Sequence, residues 1–166
     1  MYKNEYQNTY KVLERFASEF IEQYKIYLEM NDIADGELYR SIKVDSIKIY
    51  SDEFIITIEL ADYWKYIEYG RRKGAKFPPI DVIRTWIKKR NIVPRPMKLK
   101  SGKTIVPRQE SLAFLIARSI SQKGIQARPF FKTAADRMLE KFKSEIEDAI
   151  VLDIEETMNN EIDDII

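Results

Sequence analysis

Two acidic pairs, Glu155-Glu156 and Asp163-Asp164, and a serine–lysine pair, Ser101 and Lys103, have the types and spacing to do chemistry in this 166-residue chain. Neighbouring carboxylates can act as acid and base or hold a divalent ion. A lysine close to a serine can activate it as a nucleophile. Their contexts argue otherwise. Both acidic pairs fall in a charged helix end, where a solvated face is the default, and Ser101-Gly102 reads as a hairpin turn. The chain has no cysteine and no histidine, which removes thiolate nucleophiles, Cys/His zinc sites, histidine bases and disulfides. No GxxxxGK[ST] or GxGxxG loop is present to cradle phosphates. The chain therefore reads as a non-enzyme, with no cofactor and no metal. Asp62 and Glu68, which flank an aromatic turn, read as a structural ion pair or a cap.

A second chemistry open to these residues is contact with a polyanion. Charge is segregated along the chain. Residues 1–70 hold 8 Lys/Arg against 14 Asp/Glu, residues 71–132 hold 17 against 2, and residues 133–166 hold 3 against 11. The blocks carry −6, +15 and −8 in a chain whose net charge is +1. Such blocks imply attraction between surfaces of opposite sign, or contact with an acidic partner. Lysines and arginines from Arg71 to Lys132 can neutralise phosphates, and Trp86 or Phe77 can stack on bases. Trp86 falls on the apolar stripe of its helix and is expected in the core. Tyr63, Trp64, Tyr66 and Tyr69 fit a core and a protein interface equally well.

The elements that position these residues follow from hydrophobic spacing. Tyr6, Tyr10, Leu13, Ala17, Phe20, Tyr24 and Leu28 predict a long amphipathic helix, ended by Asp35-Gly36. Gly36 to Ile42 predicts one helical turn. Val44, Ile47 and Ile49, then Phe54, Ile56, Ile58 and Leu60, predict two antiparallel strands joined around Ser51-Asp52, with a bulge at Asp45-Ser46. A short helix over ADYWKYIEYG ends on Gly70. Pro79 opens a helix over Ile80, Ile83, Trp86 and Ile87. Met97 to Val106 predicts a hairpin that reaches out as a basic arm over about 94–108. Leu112, Leu115, Ile116 and Ile120 mark a helix ending near Gly124. Phe131, Ala135, Met138, Phe142, Ile146, Ile150 and Ile154 mark a long last helix, with a frayed acidic end over about 158–166. The expected fold is a single α+β domain, 1–166: a small antiparallel sheet packed by long N-terminal and C-terminal helices and central helices, with a protruding basic hairpin. The length suffices for one core. No run of 18 apolar residues indicates a membrane span, and the first residues do not read as a secretory signal.

Five short motifs stand in order along this frame: Gly36-Glu37-Leu38-Tyr39-Arg40-Ser41-Ile42; Tyr63 with Tyr66-Ile67-Glu68-Tyr69-Gly70; Ile116-Ala117-Arg118-Ser119-Ile120; Lys123-Gly124-Ile125; and Arg128-Pro129-Phe130. Their order resembles the head–tail joining or tail-completion (neck) family of long-tailed bacteriophages, the gene-10-product-like proteins, over roughly residues 30–150. The chain departs from that family in a longer first helix and in the hairpin around Ser101-Gly102, which reads as an insertion.

The resemblance implies a structural virion subunit at the head–tail junction, made in the host bacterial cytoplasm. It would form a ring between portal-side connector proteins and the tail tube, with DNA passing through the bore. The partners implied are further copies of the chain, connector and tail proteins and packaged DNA, with no membrane. A closed ring needs one patch to meet a different patch on the next copy. The interface is expected at Tyr66, Glu68, Tyr69, Gly70, Arg71, Arg72, Arg128, Pro129 and Phe130. Gly70 would supply a positive φ, and Pro129 would fix the entry to the last helix. Contact with DNA or an acidic partner is expected at Lys73, Lys76, Lys98, Lys100 and Lys103. The alternative function is a basic, sequence-independent DNA-binding or packaging accessory protein.

Overall fold

The structure, a computed structural model, describes residues 5–31, 33, 36–50 and 53–163. Expectations for Asp35, Ser51, Asp52 and Asp164 fall outside the described residues. The fold is α+β: six helices and two small antiparallel sheets among the described residues, with long helices near both ends of the chain. The chain divides into two compact units, residues 1–68 with 129–166, and residues 69–128.

The larger unit is built on two antiparallel helices. Helix α1 (Gln7–Glu29) buries Leu13, Ala17, Phe20, Tyr24 and Leu28 of the predicted stripe, with Phe16 added to it and Tyr10 only half-buried. Helix α6 (Phe130–Asp163) lies along it and buries Ala134, Met138, Phe142 and Ala149. Phe16 meets Phe142 edge to face at 5.7 Å, and Phe20 meets Phe131 at 4.9 Å. Ion pairs Arg15–Glu145 and Glu19–Lys141 run along the rim. These exposed pairs contribute little; the apolar seam carries the contact.

One bond of this seam is polar and buried. The carboxylate of Asp153, only 1% exposed, accepts from the backbone N–H of Asn8 and of Thr9, each at 2.8 Å. Those N–H groups open α1 and have no carbonyl partner within the helix. Tyr6, at the N-cap position, gives no side-chain cap. Asp153 thus caps α1 from the far part of α6, with favourable charge at the helix N-terminus.

Helix α2 (Glu37–Ser41) is the predicted single turn. The N–H of Leu38 donates to the Tyr63 hydroxyl at 2.6 Å, and Ser41 Oγ accepts from the N–H of Ala61 at 2.9 Å. Strands β1 (Lys43–Ile49) and β2 (Phe54–Glu59) pair antiparallel, with Val44 opposite Ile58 and Ser46 opposite Thr57. The slip leaves Asp45 as the extra residue, the bulge that the broken alternation predicts. Ile47 and Ile49 pack on Leu13 and Ala17, seating the sheet on α1.

Helix α6 continues through Asp163. The stretch from Met158 to Asp163, expected to be frayed, is helical, since no glycine or proline interrupts it and two asparagines cost a helix little. Ile154, expected on the core stripe, is exposed.

The smaller unit packs α4 (Ile80–Lys89) on α5 (Gln109–Lys123) through Ile83, Ile87, Ala113 and Ala117. The small alanines let the helices approach. Pro79 stands at the N-cap rather than inside the first turn. Asn91, at φ 49, ends α4, with its N–H on Lys88 and the N–H of Ile92 on Ile87. The hairpin is present as β3 (Met97–Lys98) and β4 (Thr104–Ile105), turning at Gly102 with φ +81.

Two predictions come from the buried polar groups. Replacing Asp153 by alanine leaves the N–H groups of Asn8 and Thr9 without acceptors. It should lower unfolding free energy by about 2 kcal/mol, with Asp153→Asn recovering part of it, measured by urea denaturation. Tyr24 is fully buried and its hydroxyl has no hydrogen-bond partner among the described residues. Burial holds its phenol above the ordinary value of 10.0, and the charges of Glu68 and Tyr63 add to this. Below that pH the folded and unfolded phenols are both neutral and stability is complete. Above it the unfolded chain ionises while the buried phenol resists, and stability is lost. Tyr24→Phe should raise stability by about 1 kcal/mol near neutrality and flatten the loss above pH 10, read from melting temperature against pH.

Candidate functional site

The motif at Tyr66–Gly70 and those at Lys123–Ile125 and Arg128–Phe130 lie where the chain passes from the larger unit to residues 69–128 and back. The chain leaves the larger unit after Glu68 and returns at Pro129. Each unit has its own clasp there.

In the larger unit the clasp is Glu68, the last residue of α3 (Trp64–Glu68). Its Oε2 accepts from the N–H of Phe131 and its Oε1 from the N–H of Lys132, both at 2.9 Å. These are first-turn donors of α6, so Glu68 caps α6 as Asp153 caps α1. With Glu68 4% exposed, the motif's carboxylate points inward. It holds the turn from inside and leaves the surface to its neighbours. Phe131 packs on Phe20, Tyr24 and Trp64, and Phe130 stacks on Tyr27 at 6.2 Å. Tyr63, through its hydroxyl, and Trp64, through its ring, belong to the packed interior. Tyr66 and Tyr69 are exposed, Tyr69 by 73%.

In the smaller unit the clasp is a backbone bridge. Arg71 and Ile125 exchange N–H···O bonds of 2.8 Å in both directions. The N–H of Gly74 donates to the carbonyl of Ser121 at 2.8 Å, and the Arg71 guanidinium donates to the carbonyl of Lys76. Gly70 has φ +66, and a Cβ there would stand 2.5 Å from the carbonyl oxygen of Ile125. Gly124, across the bridge, has φ +77 and the same crowding against the carbonyl of Arg71. Two glycines let two backbones meet.

No protein family, curated protein or solved structure matches the chain.

The remaining interface candidates lie on the surface. Arg72, Arg128 and Pro129 are exposed, and so are Lys73, Lys76, Lys98, Lys100 and Lys103; Gly70, Arg71 and Phe130 are half-buried. The smaller unit contains 16 Lys/Arg and 2 Asp/Glu, Asp81 and Glu110; the larger contains 12 and 25. Their charges are +14 and −13. Fourteen of the 16 cations in the smaller unit are exposed, so folding leaves its charge on the surface instead of dispersing it. Asp81 pairs with Arg84 at 3.2 Å within α4.

Trp86 corrects the sequence reading. It is 42% exposed, because Ile80, Ile83 and Ile87 define the face toward α5 and Trp86 lies at the edge of that stripe. Exposed Val82 stands one turn before it. Phe77 and Phe114 pair at 5.7 Å and are both partly open to solvent.

The groups singled out for chemistry are dispersed. Ser101 and Lys103 sit in the exposed hairpin turn, and Glu155 and Glu156 are exposed on α6. Of the pair Asp163-Asp164, Asp163 ends α6 and Asp164 lies outside the described residues. Among the described residues no cluster of three carboxylates could hold a metal ion, and no helix is long and apolar enough to cross a membrane. An open groove between α1 and β1 is lined by Tyr10, Glu14, Arg15, Asp45 and Ser46. Asp153 escaped the sequence reading, though a signal existed: it continues the face of Phe142 and Ala149, where a charge stands out.

The glycine contacts give a paired test. Gly70→Ala meets both a left-handed φ and a backbone clash, whereas Gly74, at φ +76, has open space around its Cβ position. Gly74→Ala should cost about 1 kcal/mol from φ alone. Gly70→Ala should cost roughly twice that or more, and hydrogen exchange should show the amides of Arg71 and Ile125 opening first.

Proposed function

We propose that this protein is a structural assembly subunit. Copies join head to tail into a ring, in the manner of the phage neck proteins its motifs resemble. Connector and tail proteins are then its neighbours, and DNA passes through the bore. The observation that carries the reading is the match between charge and architecture: nearly equal and opposite charges, +14 and −13, divided at the boundaries of two compact units. A chain with two different, oppositely charged surfaces suits a heterologous interface, in which the basic unit of one copy meets the acidic unit of the next. A two-fold interface confined to one unit would set like charges against each other. The exposed part of the turn, Tyr66, Tyr69, Arg72 and Arg128, supplies aromatic and arginine contacts of the kind enriched at interfaces. The inward-facing Glu68 and Phe130 hold that turn in place.

A second reading, a sequence-independent DNA-binding or packaging accessory protein, draws on the same basic unit. Fourteen exposed cations beside exposed Trp86 and Phe77 suit phosphate neutralisation with base stacking.

Light scattering at low and moderate salt, with and without duplex DNA, separates the two. The assembly reading expects a discrete multimer without DNA. Arg72→Glu with Lys73→Glu should weaken association about tenfold or more, leaving the melting temperature nearly unchanged. A monomer that shifts only with DNA, and loses that shift steeply with salt, would overturn assembly in favour of DNA binding.

A further inference from the structure

Helix α6 is longer than its partner. Asp153 meets Asn8 and Thr9 at the opening of α1, and α6 then runs on from Ile154 to Asp163, ten residues or about 15 Å. Phe142, Ala149 and Asp153 face the core. On the opposite side stand Val151, Ile154, Met158 and Ile162, spaced by three, four and four residues, each between 45% and 57% exposed. That spacing makes one apolar stripe on one helix face. Glu147, Asp148 and Glu155 border it, all exposed. No core cluster includes any residue of the stripe.

The acidic border selects the occupant. Stripe against stripe from two copies would bring Glu147, Asp148 and Glu155 against their own kind. The outer face of α4 offers the complement. Val82 and Trp86 are exposed and four residues apart, the spacing of Ile154 and Met158, and Lys89 and Arg90 continue that face by one turn. Among the described residues, Val82, Trp86 and all four side chains of the stripe are exposed.

We propose that the end of α6 docks on the outer face of α4 of a second copy, with Ile154 and Met158 against Val82 and Trp86 and the acidic border against Lys89 and Arg90. The contact has an apolar centre with a charged rim, the usual anatomy of a specific interface. It deepens the head-to-tail reading above, on which it rests, by naming the two faces that meet.

Two full-length double variants test it, Ile154→Arg/Met158→Arg and Val82→Glu/Trp86→Glu. All four positions are exposed, so circular dichroism and melting should match the unaltered protein. By light scattering, the unaltered protein should be a multimer and each variant alone a monomer. An equimolar mixture should form a one-to-one dimer, because each variant keeps the face the other lacks. Variants that assemble like the unaltered protein would overturn this contact and leave head-to-tail assembly standing. A monomeric α6 variant beside a multimeric α4 variant would show the stripe meeting something other than α4. A mixture that stays monomeric would also overturn the pairing. An unaltered protein that is itself monomeric would overturn assembly and this contact together.

Discussion

The larger unit depends on two buried carboxylates that each close the start of a helix other than their own. Asp153 closes α1, and Glu68 closes α6. A helix N-terminus leaves several N–H groups without carbonyl partners, and burying them unpaired costs more than most single contacts return. Here neither helix is capped from within its own first turn by the bonds described. The caps come from 145 and 63 residues away in sequence. Helix formation and tertiary closure are therefore one event: α1 is finished only when the far part of α6 lies beside it. The aromatic contacts of Phe16, Phe20 and Phe131 supply the bulk of the energy, and the carboxylates fix the register along which those rings meet.

This arrangement accommodates an insertion. Residues 69–128 leave and re-enter next to Glu68 and Phe131, where the capping bond holds the two ends of the larger unit together. The reciprocal bond of Arg71 with Ile125 does the same for the smaller unit. Gly70 and Gly124 are required at that bridge because a side chain on either would strike the opposite strand. The aromatic turn is thus half surface and half closure: Tyr66 and Tyr69 face solvent, and Glu68 faces the core.

Much of the local structure was legible because it rests on spacing. The α1 stripe, the single turn of α2, the bulge at Asp45 and the positive φ of Gly70 follow from residue order alone. What spacing cannot report is which elements share a core. Trp86 lies near an apolar stripe but at its edge, and only the position of α5 decides that it is left in water. Ile154 continues the four-residue spacing of Phe142, Ile146 and Ile150, but each such step turns the helix by about 40°, so by Ile154 the series has left the face of Phe142, Ala149 and Asp153. The division into two units was invisible to hydrophobic periodicity. It was nevertheless written in the charges, whose sign changes at 70/71 and 132/133 fall within a few residues of the structural boundaries at 68/69 and 128/129.

The acidic residues of the larger unit separate into two kinds by burial. Asp153 and Glu68 are desolvated and each satisfied by two backbone donors, so their contribution is to stability and is insensitive to salt. Glu147, Asp148 and Glu155 are solvated, contribute little to folding and project a field that salt screens. The same division holds among the aromatics, with Phe20, Tyr24 and Phe131 inside and Tyr69 and Trp86 outside. The two units keep opposite net charges, and each leaves large apolar side chains in water, Ile154 and Met158 in one, Tyr69 and Trp86 in the other. On the head-to-tail proposal, a partner apolar at the centre and opposite in sign at the rim would cover those side chains.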